Sequence, residues 1–347
     1  MPAVEDRGPQ KRKNSLDSRF TINHIANLIL MSTYPQKPAY ENSVAHYRNS
    51  EAEDKNTMPM GTVLTGVFYM LLIAVTMPLH VIIVVIILRN KEFRKLPAYG
   101  IMVNMSASEC ILMSGHFMGG LMSACQTTFH PIVPTIGGSI VSPSWIGLAL
   151  FTLILSLNRF LIFTGFKMTK RSERRLFSII CGIVWPTLFL ISGIHFLPKL
   201  NCSYDINLGI YLVQEEQPKF IMNTERLTVF VSLAAAFLLC MATVVTIVVK
   251  RNMYSTQFKV RPGEIKMFIQ SVVIFSYLTL IRIAFNFGPY SGVASTMLGM
   301  ATQAVGLLNP VLYLLFNGSI RTSFFAPCGA CKTTVKVVAH STNTSKN

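Results

Sequence analysis

The sequence predicts an all-α membrane protein, a bundle of seven transmembrane helices with its amino terminus outside the cell and a short amphipathic helix after the seventh span. Of the 347 residues, 51% are hydrophobic and 13% are charged, whereas charged residues make up about 25% of ordinary soluble domains. Long apolar stretches recur along the chain, and the positive charge is concentrated between them. Together these observations favour insertion into a lipid bilayer.

Seven nearly charge-free stretches are long enough to cross a membrane. Each reaches the roughly 20 residues that a helix needs to span about 30 Å of hydrocarbon. Because the runs are continuous and do not alternate in polarity, a membrane β-barrel is a poor alternative. The predicted spans are residues 63–88, 99–121, 136–163, 176–197, 227–249, 265–287 and 293–316.

The connections between the spans divide into a basic set and a nearly neutral set. Four connections hold 19 Lys and Arg residues and three acidic residues, and the difference equals the net charge of +16. By the positive-inside rule this side is cytoplasmic, so the carboxyl terminus is inside. A charge spread over several connections, rather than over one folded face, excludes nucleic acid as the expected partner. The basic connections are residues 89–98, 159–175, 250–266 and 317–347.

Three regions follow from this pattern. Residues 1–61 mix eight basic and seven acidic side chains without clear periodicity, so we expect a disordered extracellular leader. Residues 62–317 form the seven-helix domain. Residues 318–347 form a cytoplasmic tail, in which Ile320, Phe324 and Phe325 share one side of a short helix that we expect to lie along the inner leaflet.

Polar side chains interrupt the middle of two spans. Asn104 and Glu109 lie in the second predicted span, and His80 lies in the first. A carboxyl group at membrane depth is costly unless it is paired, hydrated or protonated, so Glu109 indicates a functional position. The alternative is that Glu109 is a neutral, hydrogen-bonded packing residue.

Two motifs lie at the predicted cytoplasmic boundary. Asn158 and Arg159 end the third span, where the guanidinium either takes part in a switch or extends to the interface. Asn309, Pro310 and Tyr313 lie in the last third of the seventh span, and a proline there frees a backbone carbonyl and allows a kink. A kinked helix has a second packing arrangement at small cost, which a conformational switch requires.

In order and spacing, these motifs resemble those of rhodopsin-like G-protein-coupled receptors. The segments "LNRF", "LYLLFNGSIR" and "IQS" are most similar to nematode serpentine chemoreceptors of class T. The resemblance covers residues 61 to about 325. It implies that Asn158, Arg159, Asn309, Pro310 and Tyr313 form a signalling switch.

Several residues depart from the rhodopsin-like pattern. Asn158 stands where most of these receptors have an acidic residue, so the ion pair that restrains the arginine is missing. His80 replaces the usual Asn and Glu109 the usual Asp, which argues against a sodium site of the familiar kind. No Cys-Trp-x-Pro hinge occurs in the sixth span. We expect no metal and no cofactor.

A ligand pocket is expected in the outer half of the bundle. Arg282 lies in the outer part of the sixth span, where it either meets an anionic or hydrogen-bond-accepting ligand group or reaches the outer headgroups. Trp145 and Phe285 either line the same cavity or serve as packing residues.

Five further positions suggest covalent modification. Cys125 and Cys202 are the two cysteines expected outside, so we expect a disulfide between them. Asn201 begins a glycosylation sequon. Cys328 and Cys331 follow the tail helix, where palmitate would add an anchor, and a zinc pair with His340 is a weaker alternative because further ligands are missing.

The function expected from these features is that of a chemosensory receptor. It binds a small extracellular molecule within the bundle and activates a heterotrimeric G protein, in the plasma membrane or that of a sensory cilium. The alternative is a ligand-gated ion channel or transporter of similar topology. An enzyme is not expected, because no embedded side chains have catalytic spacing. The sequence leaves the ligand, the G-protein class and the oligomeric state open.

Overall fold

A computed structural model describes most of the chain from Met60 onwards. The described residues are 60–166, 168–197, 200, 202–206, 209–213, 219–253, 262–287 and 292–325. The chain divides between Lys55 and Asn56 into two units, and every described residue belongs to the second. Residues 1–59 of the predicted leader, Asn201 of the sequon and the cysteines Cys328 and Cys331 lie outside the described residues, whereas Met60 and Gly61 begin the first helix.

Seven long helices confirm the predicted bundle. Among the described residues, six of them are long and apolar enough to cross a membrane, and α3 is the exception. Asn104, Glu109 and His116 interrupt the apolar sequence of α3. The helices are α1 (Met60–Arg89), α3 (Pro97–Cys125), α4 (Ile132–Thr164), α5 (Lys170–Ile194), α6 (Lys219–Met253), α7 (Pro262–Phe287) and α8 (Gly292–Phe316).

Two short helices lie at the end of the bundle that carries the basic connections, which we call the basic end. Helix α2 (Lys91–Arg94) begins at Asn90, whose side chain accepts a hydrogen bond from the Glu92 amide at 2.9 Å. Helix α9 (Gly318–Phe325) follows α8, as the sequence predicts, and its Ile320 is fully buried. Asn317 joins α9 to α3 by donating to the Tyr99 hydroxyl at 3.0 Å.

A β-hairpin that the sequence did not predict lies at the opposite end, which we call the hairpin end. Strands β1 (Cys202–Asp205) and β2 (Ile210–Val213) are antiparallel and pair Cys202 with Val213. The hairpin connects α5 to α6 and packs on α4. A Cβ atom at Gly138 of α4 would collide with Cys202, so this glycine allows the close approach.

Helix α4 forms the centre of the bundle, and the surrounding helices expose apolar side chains outward. Leu148 and Phe151 of α4 are fully buried, whereas Leu71 of α1, Phe189 of α5 and Leu238 of α6 are each more than 60% exposed. Apolar surface of this extent suits a hydrocarbon environment rather than water. The functional side chains therefore belong to the polar minority that faces inward.

Candidate functional site

Three polar side chains from three helices meet in the middle of the bundle. Asn309 of α8 donates through Nδ2 to Oε1 of Glu109 in α3. Nδ1 of His80 in α1 lies 3.5 Å from Oε2 of the same carboxyl group, and both side chains are fully buried. Nε2 of His80 lies 2.7 Å from the Gly306 carbonyl oxygen in α8. We call His80, Glu109 and Asn309 the mid-bundle cluster.

Asn104 does not join this cluster, although the sequence grouped it with His80 and Glu109. Its Oδ1 accepts a hydrogen bond from Trp185 Nε1 of α5 at 2.7 Å, and its Nδ2 donates to the Gly100 carbonyl at 2.8 Å. Asn104 therefore fastens α3 to α5. An asparagine whose amide is satisfied in this way serves helix packing.

The structure brings Tyr313 of α8 between the mid-bundle cluster and Arg159 of α4. Tyr313 is fully buried and Arg159 is 4% exposed. Glu109 and Arg159 both act electrostatically on the Tyr313 hydroxyl, which also lies near Ser106. Pro310 lies inside α8, one turn before Tyr313. Residues that the sequence placed in one switch are therefore close together in space.

Asn158 has an acidic partner that the sequence analysis missed. Its Nδ2 donates to Oε1 of Glu173, in the first turn of α5, at 3.3 Å. Glu173 is the one acidic residue of the basic connection 159–175, and this is the signal that could have singled it out. A carboxylate therefore lies beside the Asn-Arg pair, supplied by a neighbouring helix.

A second missed contact at the basic end joins α6 to α4. Lys250 Nζ donates to the carbonyl oxygens of Phe163 and Thr164, both at 2.8 Å. These carbonyls belong to the last turn of α4, where no further turn of helix provides donors. A lysine at a helix carboxyl terminus also interacts favourably with the helix dipole.

Two of the three predicted pocket residues lie together in the outer half of the bundle. The guanidinium carbon of Arg282 in α7 lies 5.8 Å from the centroid of the Trp145 ring in α4, a cation–π arrangement. Trp145 belongs to the main apolar core, and the half-buried Phe285 packs against that core. The arrangement combines a positive charge with aromatic surface.

His195 forms a polar centre beneath the hairpin. It caps the carboxyl end of α5, is fully buried, and contacts the Leu200 carbonyl through Nδ1 at 2.9 Å and Glu225 Oε1 of α6 through Nε2 at 2.7 Å. Ser142 of α4 donates to the other oxygen of Glu225 at 2.9 Å. Burial lowers the pKa of His195, but its contacts with Cys202 and Glu225 outweigh burial and raise that pKa to about 10. His195 is therefore an imidazolium that donates from both ring nitrogens.

The structure corrects the expected disulfide between Cys125 and Cys202. Both are free cysteines; Cys125 is exposed at the end of α3, and Cys202 is buried. Cys202 Sγ points toward His195, with 4.0 Å between the sulfur and Nδ1. The packing of β1 on Gly138 turns Cys202 toward α4 and His195 instead of toward the surface. Within the described part of the chain, no cluster of His, Cys, Asp and Glu side chains is placed to hold a metal ion.

Two tyrosines fasten the hairpin to α3. The Tyr204 hydroxyl forms a hydrogen bond with Ser123 Oγ at 2.8 Å, and the Tyr211 hydroxyl donates to the Gly115 carbonyl at 2.8 Å. Burial raises the pKa of Tyr204 to about 12 and also raises the pKa of Tyr211. Both hydroxyl groups therefore keep their protons at neutral pH, and the hairpin is held over the bundle.

Comparison with known proteins gives one family match and a structural likeness. The family model described as serpentine type 7TM GPCR chemoreceptor Srt matches residues 27–337. The crystal structure of squid rhodopsin is similar, with a TM-score of 0.64 and 14% sequence identity, over 77% of this chain and 81% of the rhodopsin chain. At that identity the likeness concerns the fold alone. No curated protein sequence matches the chain.

Proposed function

We propose, from the premise that this chain belongs to the serpentine type 7TM GPCR chemoreceptor Srt family, that it binds a small extracellular molecule and activates a heterotrimeric G protein. The basic end would face the cytoplasm, in agreement with the positive-inside rule. The hairpin end would then face the outside of the plasma membrane, or of a sensory cilium. In this orientation the proposed pocket residues would lie on the ligand side.

The ligand site of this proposal lies around Trp145, Arg282 and Phe285. These residues come from α4 and α7, so a bound molecule would contact both helices at once. A ligand shifts the equilibrium between two helix arrangements only by its difference in affinity for them. A molecule that contacts both α4 and α7 would meet this requirement if the two arrangements differ in the spacing of these helices.

The observation that carries the proposal is the line of buried polar groups from Glu109 through Asn309 and Tyr313 to Arg159. It joins α3, α8 and α4 and contains Pro310, so a change in the packing of α8 would alter every contact along it. Asn158, bound to Glu173, extends the line to α5. A G protein would dock on the second and third basic connections, residues 159–175 and 250–266.

Replacement of Arg159 tests this mechanism. Cells that express the receptor would be challenged with a panel of small odorant molecules, and nucleotide exchange on the G protein would be measured. We expect Arg159→Ala to abolish the response at unchanged surface expression. The matched control is Arg321→Ala, because Arg321 is an exposed arginine of α9 at the same end. Ligand-evoked current that persists without G protein would contradict the proposal and support a channel or transporter.

A further inference from the structure

The hydrogen-bond geometry of the mid-bundle cluster fixes how many protons it holds. The Gly306 carbonyl only accepts hydrogen bonds, so Nε2 of His80, 2.7 Å away, carries a hydrogen. Oε1 of Glu109 already accepts a hydrogen bond from Asn309. Nδ1 of His80 and Oε2 of Glu109 therefore face each other at 3.5 Å, and neither has another hydrogen-bond partner among the described residues.

Two acceptors at that distance repel each other unless a proton lies between them. If Nδ1 and Oε2 were both unprotonated, a negative carboxylate would face a lone pair; if both were protonated, two hydrogens would collide. One proton satisfies both atoms, as an imidazolium–carboxylate pair or as a neutral acid that donates to imidazole.

On the three helices of the cluster, no cationic side chain lies nearer to Glu109 than His80. Apart from His80 and His116, helices α1, α3 and α8 contain one acidic residue, Glu109, and one basic residue, Arg89 at the end of α1. Other ionisable groups near the cluster are the Tyr313 hydroxyl and, beyond it, Arg159 of α4. The Cys110 thiol of α3 also interacts electrostatically with Glu109. A carboxylate at this depth requires a positive partner.

We propose that His80 and Glu109 bind a single proton between them, and that this proton neutralises the buried carboxylate in place of a metal cation. The shared proton is thus the ligand of this site and links α1 to α3. Asn309 links the same carboxyl group to α8. This inference goes beyond the proposed function, because it holds whether or not the chain couples to a G protein. Its test therefore uses purified receptor without ligand or G protein.

The first test is a double-mutant cycle on thermal unfolding in detergent. His80→Gln retains a donor for the Gly306 carbonyl but cannot bind the proton, so Glu109 must either ionise without a cationic partner or hold the proton alone. Glu109→Gln leaves a neutral cluster. We expect H80Q to lower the unfolding midpoint by roughly 4 °C or more, and the H80Q/E109Q variant to unfold at a higher temperature than H80Q. Additive effects of the two substitutions would overturn the proposal.

His116→Gln provides the matched control. His116 lies on α3, and its ring contacts Tyr211 instead of a carboxyl group. H116Q should therefore show no coupling with E109Q. Coupling as large as that of H80Q would mean that the cycle reports general loosening of α3, and would count against a shared proton.

The second test asks whether a metal cation competes for the carboxylate. Unfolding midpoints would be measured in NaCl and in N-methylglucamine chloride at equal ionic strength. We expect the wild-type midpoint to be the same in both salts and that of H80Q to be higher in NaCl, because only its carboxylate lacks a proton partner. A saturable stabilisation of the wild type by Na⁺ would overturn the proposal even if H80Q failed to fold.

Discussion

At the hairpin end a loop element fixes the ends of the helices, whereas at the basic end side chains of the helices contact one another directly. Tyr204, Tyr211 and His195 bind the hairpin and its flanks to α3 and α6. At the basic end, Asn158 contacts Glu173, and Lys250 caps α4 from α6. We infer that the helices are held in place at the hairpin end, while their side-chain contacts can change at the basic end.

The largest expected effect comes from removing the buried charge beneath the hairpin. His195→Ala leaves Glu225 without its imidazolium and removes the hydrogen bond from His195 to the Leu200 carbonyl, so we expect a loss of roughly 3 kcal/mol in the free energy of unfolding. Thermal unfolding in detergent measures this loss. His130→Ala, which removes an exposed histidine at the same end, should change stability by less than about 0.5 kcal/mol. Equal losses for both variants would show that the centre at His195 does not hold this end.

The same centre predicts a dependence of stability on pH. Because the pKa of His195 is raised to about 10 in the folded protein, from about 6.5 when unfolded, its contribution is complete below pH 6.5 and is lost as the pH rises through 10. Unfolding midpoints measured between pH 6.5 and 10 should therefore fall for the wild type. The curve should flatten for His195→Gln, and an equally steep curve for that variant would assign the pH dependence to other groups.

A smaller effect is expected where Asn158 meets Glu173. Asn158→Asp places a second carboxylate beside Glu173, and like charges that are partly buried should cost about 1–2 kcal/mol. Glu173→Gln in the same chain should restore stability, because its amide group can donate to the new carboxylate. Unfolding midpoints and basal nucleotide exchange on a G protein would both be measured. A double variant no more stable than Asn158→Asp would show that the two side chains do not interact.

The smallest effect is expected for the cap on α4. Lys250→Met removes both hydrogen bonds to the carbonyls of Phe163 and Thr164, and we expect a loss of about 1 kcal/mol, which is roughly 2–4 °C in the unfolding midpoint. Lys95→Met is the control, since the exposed Lys95 side chain forms an ion pair with the exposed Glu92, and such pairs contribute little. If both lysine variants behave alike, Lys250 does not connect α6 to α4.

Hydropathy predicted the seven helices because each apolar run corresponds to one span in lipid. The sequence also singled out Glu109 and Asn309, but it did not show that they form a pair, because their separation in sequence says nothing about helix rotation. In helices that are apolar on all sides, no periodic pattern indicates which face turns inward. For the same reason the contacts of Glu173, Lys250 and His195 became visible only in the structure.

The sequence analysis missed the hairpin and expected a disulfide that the structure does not contain, and both errors have a different cause. The sequence assigned Cys125 and Cys202 to the same side of the membrane. A disulfide requires this, but it does not determine which way each side chain points. The β-pairing of Cys202 with Val213 and the glycine at position 138 set that direction toward His195. Short strands between long apolar helices give too weak a signal to be recognised against their surroundings.

The lysine that spans α6 and α4 has a consequence for any incoming protein at this surface. If α6 moved outward, the carbonyl oxygens of Phe163 and Thr164 would lose a donor that they now share. A partner protein that donated its own N–H groups to these two oxygens would compensate the loss and keep α6 displaced. When the partner protein dissociated, the Lys250 ammonium group would bind these oxygens again. The end of α4 would thus accept hydrogen bonds either from α6 or from the partner protein.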